Sequence, residues 1–261
     1  MLTARVDEAF LDRAGPQLRV VANYAVGVDN VDLAAAEARG VVVANTPDVL
    51  TRATAELAVG SMLALLRRIV EGDRFVRRRS AWAFSLEFML GSSLAGKRLL
   101  VVGAGRIGRE TARLAEALDA VPTFAGRNDD LHSLLADADI VSLHVPLTGE
   151  TRHLLDAAAL AAMKPTSIVV NTARGPVVDE RALVEALQAG TIAGAALDVY
   201  EHEPEVDEGL LELENVILTP HLGSATRETR VAMGMLCVEA LRAVLLEGRR
   251  PANAVVYRPT R

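Results

Sequence analysis

The chain has 261 residues, with 28 Lys and Arg against 34 Asp and Glu, a net charge of −6 that argues against nucleic acid as its main partner. Apolar residues make up 51% and charged residues 24%, the balance of a soluble globular protein with one large or two modest cores. The longest apolar run, Leu57 to Leu66, is too short to span a bilayer, the N-terminus lacks the basic-then-apolar pattern of a leader, and one cysteine, Cys237, excludes an internal disulfide, so a cytoplasmic protein without membrane contact is expected.

In chain order, residues 6–14 read as a short helix, Leu18–Ala22 as a strand ending at Asn23, and 24–30 as a loop. A helix through Leu33–Ala38 closes at Gly40, and a second strand, Val41–Ala44, ends at Asn45. One long helix is predicted from about Thr51 to Arg79, apolar nearly all round between Ala53 and Ile69, so it must be buried between domains or against another subunit. The cluster Arg74, Arg77, Arg78 and Arg79 reads as a solvated helix end.

Leu99–Val102 is an apolar strand that stops at Gly103-Ala104-Gly105, and an amphipathic helix follows through Ile107, Thr111, Leu114, Ala115 and Leu118. Strand, glycine turn and helix start give Gly103-Ala104-Gly105-Arg106-Ile107-Gly108 its meaning as a dinucleotide-binding fingerprint. Gly103 allows the tight turn, Gly105 lets the backbone approach a pyrophosphate, and Gly108 lets helix pack on strand. Further strands follow at Pro122–Ala125, Asp139–Val145, Ser167–Asn171, Ile192–Leu197 and Val216–Leu218, mostly with helical patterns between them. The alternation predicts an α/β fold: one doubly wound parallel Rossmann sheet beside a second, smaller α/β domain. The crossover at Arg127–Ala138 has room for one short helix, and a last helix from about Ala225 to Glu247 precedes a proline-containing tail. Cys237 sits at helical spacing with Met233, Leu236 and Leu241 and reads as a small core residue.

Three segments lie just past carboxyl ends of predicted strands, where open α/β sheets place ligands. Arg174 on a glycine-flanked loop offers a planar fork to a carboxylate. Glu203 follows the fifth strand in an acidic run with Glu201, Glu205, Asp207 and Glu208, most of which should be solvated along with His202. His221, between Pro220 and Leu222-Gly223, is poised to titrate near neutral pH beside a carboxylate. His132, His144 and His153 fit helix or strand-end packing. No Cys/His spacing suggests a metal, and no Gly-x-Ser-x-Gly suggests a serine nucleophile.

Together, 23–30, 103–108, 144–148, 163–165, 171–175, 194–200 and 220–226 resemble the D-2-hydroxyacid dehydrogenase family over nearly the whole chain, and within it most the glyoxylate/hydroxypyruvate reductases. The resemblance implies that Arg174 binds the substrate carboxylate and polarises its carbonyl, that His221 is the general acid, and that Glu203 holds it. It also implies that the Val26 and Gly27 backbone cradles the carboxylate, and that Thr54, Val145, Pro146, Thr172, Ala173, Asp198 and Gly223 line the cofactor. The implied domains are a dinucleotide-binding domain at 92–224 and a discontinuous substrate domain at 1–91 and 225–261, N-terminally shortened because the family carries further strands and helices ahead of the point where Met1 stands. A small 2-keto acid is the expected substrate, and a homodimer through 51–91, including Trp82, Phe84 and Phe88, the expected assembly. A weakly active or inactive dinucleotide-binding protein, acting as a sensor or corepressor-like partner, is the alternative.

The second strand of the sheet, where NAD sites carry an acid for the ribose 2′-OH, ends instead in Gly126-Arg127-Asn128. Gly126 leaves room for a 2′-phosphate and Arg127 offers it a bidentate partner, so NADP(H) is expected in preference to NAD(H). Asp129 or Asp130 could take the ribose role, but capping of the short helix explains both.

Overall fold

The computed structural model describes residues 4–257; Met1–Thr3, part of the stretch read for a leader, lie outside it with residues 258–261. In chain order the elements are α1 (Glu8–Ala14), β1 (Val20–Ala22), α2 (Leu33–Ala38), β2 (Val42–Ala44), α3 (Thr51–Leu66), α4 (Ile69–Arg77), β3 (Arg98–Val102), α5 (Arg106–Glu116), β4 (Val121–Ala125) and α6 (Leu131–Asp137). They continue as β5 (Ile140–Leu143), α7 (Ala157–Ala161), β6 (Ile168–Asn171), a 3-10 turn (Gly175–Val177), α8 (Glu180–Gln188), β7 (Gly194–Leu197), α9 (Glu208–Leu211), β8 (Val216–Leu218), α10 (Arg227–Leu245) and β9 (Ala254–Val256). Most helices start where an oxygen side chain accepts a first-turn N–H: Asp7, Asp32, Asp130, Asp156, Asp179, Asp207 and Thr226 all do so. The start of α5 has no side-chain cap, because its N-cap is Gly105, and α4, which follows Arg68, has none either.

Two compact units form, Thr54–Gly223 and Met1–Ala53 with Ser224–Arg261. The larger holds a six-stranded parallel sheet in the order β4-β3-β5-β6-β7-β8. Period-two alternation splits its apolar residues between two faces. Leu99, Val101, Ile140, Val170 and Ile217 pack with Ala58, Val59 and Met62 of α3 and Ala112 and Ala115 of α5. Leu100, Val102, Val141, Val169 and Leu197 pack with Leu135, Leu160 and Leu183 of α6, α7 and α8. Helices on both faces make the sheet doubly wound.

Residues 54–91 fall in the larger compact unit, where the small and apolar face of α3 covers one side of the sheet. The single helix expected over 51–79 is two helices. Arg68 adopts φ 54° after α3 and its guanidinium grips Glu71 at 2.6 and 2.7 Å, so the chain turns before α4 begins. Leu118, expected on the buried stripe of α5, lies past its end and is exposed.

The smaller unit pairs β1 with β2 in parallel and β2 with β9 antiparallel. The proline-containing tail therefore supplies a third strand. Val6, Leu11, Ala36, Val41 and Val43 form one cluster, and Val20 and Val42 pack with Val244 of α10 on another. Cys237 is only half-buried, its Sγ 3.9 Å from the Ala22 carbonyl, and Leu241 is exposed; the α10 stripe that packs inward runs through Met233, Ala240 and Val244 instead.

His144, at the end of β5, does serve packing: its Nε2 lies 2.8 Å from Ser142 Oγ, and burial pushes the imidazole down to about 4. The ring is neutral in the native state, whereas the unfolded chain takes up a proton below about 6.5. Stability should therefore fall by about 2–3 kcal/mol as pH drops from about 6.5 to about 4 and then lose nothing more from this group. Thermal unfolding of His144→Gln should show a shallower acid decline than the unmodified chain; parallel declines would remove His144 from the effect.

Candidate active site

With all six strands parallel, each strand delivers its following loop to one edge of the sheet. The chain leaves β3 toward β4 on one side and reaches β5 on the other, so the crevice between the ends of β3 and β5 is the topological switch point. Gly103 sits there at φ 103°, and a Cβ on it would lie 2.7 Å from the His144 carbonyl and 3.0 Å from Val145 Cγ1. A Cβ on Gly108 would lie 2.1 Å from the Gly103 carbonyl, so both glycines are demanded by close packing. A Cβ on Gly105 would instead meet open space, directly at the uncapped start of α5 with Arg106 and Ile107 in its first turn. A helix start with no side-chain cap behind an open approach fits a dinucleotide pyrophosphate. The buried Thr172 Oγ1, like those of Thr46 and Thr111, has no hydrogen-bond partner within the protein.

Past β4, the Gly126 N–H donates to Asp129 Oδ2 at 2.7 Å, and Asp130 caps α6. Asp129 thus serves the loop itself. Arg127 is exposed, with Glu150 at 3.5 Å. Val145 and Pro146 follow β5, and the Pro146 carbonyl accepts from Thr151 Oγ1 at 2.6 Å. Ala173 is fixed by its N–H to Asn171 Oδ1 at 3.0 Å, and Thr54 Oγ1 donates to the Gly223 carbonyl at 3.0 Å.

Three adjacent strands bring Arg174, Glu203 and His221 to the same edge, after β6, β7 and β8. His221 Nδ1–H donates to Glu203 Oε2 at 2.9 Å, and the Tyr200 N–H donates to the other oxygen at 3.1 Å. Burial pushes the Glu203 carboxyl up, but the His221 hydrogen bond and charge, the Tyr200 N–H and the Arg174 charge together hold it below the usual range. The carboxylate is therefore ionised beside the imidazole, and Nε2 is the nitrogen left to exchange a proton with a ligand.

His221 is held at φ 55°, and its N–H donates to the carbonyls of Asp198 and Thr219, both at 3.0 Å. Buried Asp198 fastens the same turn: it accepts from Leu222 N at 2.6 Å, Gly223 N at 2.8 Å and Thr219 Oγ1 at 2.5 Å. Gly175, next to Arg174, lies so close to the peptide joining Tyr200 and Glu201 that a Cβ would sit 1.9 Å from its atoms. Arg174 itself donates from Nη1 to the Ala173 carbonyl at 2.8 Å.

The acidic run after β7 is less solvated than its composition suggests. Glu201 receives Arg152 Nη2 and His153 Nε2, each at 2.7 Å, and stays ionised because these bonds outweigh its burial. His153 thus hydrogen-bonds a carboxylate rather than simply packing, while His202 is exposed as expected. Buried Glu180, which nothing in its sequence context marked, accepts from two N–H groups of this loop. An acid after a helix-capping Asp reads as dipole compensation, and only the fold shows where its side chain goes. Among the described residues, no group of three His, Cys, Asp or Glu is placed to hold a metal, and no helix is long and apolar enough to cross a membrane.

Val26 and Gly27 lie in the smaller unit, on a loop with three successive carbonyls tied down: Thr46 N–H holds Ala25 at 2.9 Å, Asn45 Nδ2 holds Val26 at 2.8 Å and Asn23 Nδ2 holds Gly27 at 2.8 Å. Tyr24 anchors the same loop by donating its hydroxyl to the Arg230 carbonyl on α10.

Residues 59–223 match the family described as D-isomer specific 2-hydroxyacid dehydrogenase, NAD binding domain. Glyoxylate reductase of Thermococcus litoralis is 44% identical over 98% of this chain and 82% of its own length. A crystal structure of a Thermus thermophilus protein superposes with a TM-score of 0.90 at 47% identity, over 97% of this chain and 83% of that one. That of an NADPH-dependent glyoxylate/hydroxypyruvate reductase from Sinorhizobium meliloti, in complex with NADP and malonate, gives 0.87 at 38% identity, over 99% and 83%. Sequence, fold and strand-end geometry agree, and the chain belongs to the D-isomer specific 2-hydroxyacid dehydrogenase family.

Proposed function

We propose that this protein reduces a small 2-keto acid of the glyoxylate or hydroxypyruvate type, using NADP(H) in preference to NAD(H). The observation that carries the reading is the 2.9 Å bond from His221 Nδ1–H to an ionised Glu203, within reach of the Arg174 charge. That arrangement favours an enzyme over a cofactor-binding protein without turnover. Arg174 offers its planar fork to the substrate carboxylate and polarises the neighbouring carbonyl. A bound nicotinamide supplies the hydride. His221 donates its Nε2 proton to the keto oxygen as negative charge develops there, and Glu203 fixes the ring and stabilises its cationic form. In the oxidative direction the same nitrogen takes the proton back. Val26 and Gly27 are the proposed backbone contacts of the carboxylate, and the lone Cys237 supports a reducing, cytoplasmic setting.

Replacing His221 by Gln should leave cofactor affinity nearly intact and lower the reduction rate about 100-fold or more. In the unmodified enzyme, reduction should fade as rising pH takes the proton from the imidazolium, while Glu203, ionised well into the acid range, keeps its support until low pH protonates it. Steady-state rates across pH check both, and a flat profile with normal turnover in His221→Gln would exclude the assignment.

Cofactor preference rests on Gly126 and Arg127. The absence of an acid side chain at the strand end spares a 2′-phosphate from repulsion, and Asp129, the nearest carboxylate on the loop, is turned back onto the Gly126 N–H. Fluorescence titration should find NADPH binding more tightly than NADH, and Gly126→Asp with Arg127→Ala should reverse the order. Equal affinities in the unmodified protein would overturn this reading.

A homodimer through residues 51–91 completes the proposal. Trp82, Phe84 and Leu86 are 63%, 85% and 84% exposed, with Trp82 stacked on Phe88 at 6.2 Å, a continuous apolar arm on the larger unit. Sedimentation at micromolar concentration should give twice the chain mass, and Trp82→Glu with Phe84→Glu should give monomers; a monomeric unmodified chain would refute it.

A further inference from the structure

The segment that carries Glu203 is held at both ends by one side chain. Glu180, buried in the first turn of α8, accepts the Glu201 N–H on Oε2 at 2.9 Å and the Asp207 N–H on Oε1 at 3.2 Å. Those two N–H groups bracket Glu203 on either side. Between them the Glu205 N–H closes a turn onto the His202 carbonyl at 3.0 Å, with Glu203 at its second position. The contact is reciprocal, because Glu180 gives its own N–H to Glu201 Oε2 at 3.5 Å. Its charge is felt in the site: burial first, then Asp198, Glu203 and Glu180, push the Tyr200 phenol up to about 12, so its hydroxyl stays a donor to the Thr219 carbonyl.

An acid that merely compensates a helix dipole would be exposed and bonded to its own helix. Glu180 is buried, and both oxygens serve a loop more than 20 residues further on. Two N–H donors converging on two oxygens require a carboxylate. A carboxamide offers one acceptor and turns an NH2 group toward the other donor, leaving a buried pair unsatisfied.

The geometry points to Glu180 as a positioning residue for the reduction: it touches neither His221 nor substrate, and fixes the loop so that the Glu203 carboxylate meets His221 Nδ1. This rests on the reading of Glu203 and His221 as the proton-donating pair. A displacement of that carboxylate by a fraction of an ångström weakens its hold on the imidazolium without touching the dinucleotide cradle.

The test compares the unmodified enzyme with Glu180→Gln, Glu203→Gln and the double variant, measuring kcat, KM for NADPH, the pH profile of kcat/KM and thermal unfolding. Glu180→Gln should lower kcat by about 10- to 100-fold and leave KM for NADPH within about twofold. It should also move the alkaline fall of kcat/KM to lower pH, in the same direction as Glu203→Gln. Added to Glu203→Gln, it should cost less than about a further threefold, because its effect passes through the group already removed. A lower unfolding temperature with an unmoved pH profile, or full additivity in the double variant, would overturn the proposal. Should Glu180→Gln fail to fold, Glu180→Asp, which keeps the charge on a shorter arm, is read on the same profile, and an unmoved profile there overturns it too. If Glu203→Gln itself behaves as the unmodified enzyme, the proton-donating pair is wrong and this proposal falls with it; if Glu203→Gln is impaired and Glu180→Gln is not, only Glu180 loses its role.

Discussion

The candidate site depends on a contact with no room in it. Gly175 presses against the Tyr200–Glu201 peptide at a distance where any side chain would overlap backbone atoms. That approach locks the loop after β6, which carries Arg174, to the loop after β7, which carries Glu203. The loop after β8 is locked in turn by Asp198, whose two oxygens hold the turn around His221. Three loops from neighbouring strands are thus fastened to one another, which fixes the spacing of Arg174, Glu203 and His221.

Four acidic side chains lie around this body, and each is stabilised by specific donors rather than by bulk water. Asp198 and Glu180 take backbone N–H groups, Glu201 takes Arg152 and His153, and Glu203 takes Tyr200 N–H and His221. Burial alone would push such carboxyls toward neutrality. The hydrogen bonds outweigh it at Glu201 and Glu203, which sit below the usual range. The result is a fixed negative field beside the imidazole.

At the opposite end of the crevice the requirement is geometric instead of electrostatic. Gly103 and Gly108 allow strand, turn and helix to meet, and Gly105 leaves the start of α5 open and uncapped. The helices of the larger unit that begin on an Asp all have first-turn N–H groups answered from within. Helix α5 lacks such a side-chain cap, as α4 does, but it is α5 that starts at the switch point between β3 and β5. The division is spatial: the glycine fingerprint lies at the switch point between β3 and β5, and Arg174, Glu203 and His221 follow β6, β7 and β8.

Patterns confined to a few consecutive residues were legible in the sequence. The six-stranded parallel sheet follows from apolar runs separated by helical spacing, and the fingerprint from glycines placed between strand and helix. That Arg174, Glu203 and His221 come to one edge follows from their positions just past strand ends, since a parallel sheet carries all such positions there. What depends on distant partners was not legible. The break at Arg68 needs Glu71 and a left-handed residue that is not glycine, and the last strand, Ala254–Val256, exists only because β2 offers it an edge. Helix α3 looked like an interface element because its apolar surface had no visible partner until the sheet face was assembled against it. Glu180 and Glu201 carried no mark beyond an acidic composition; burial and the direction of a side chain are properties of the packed chain, and only the tertiary structure turned two ordinary acids into the supports of the site.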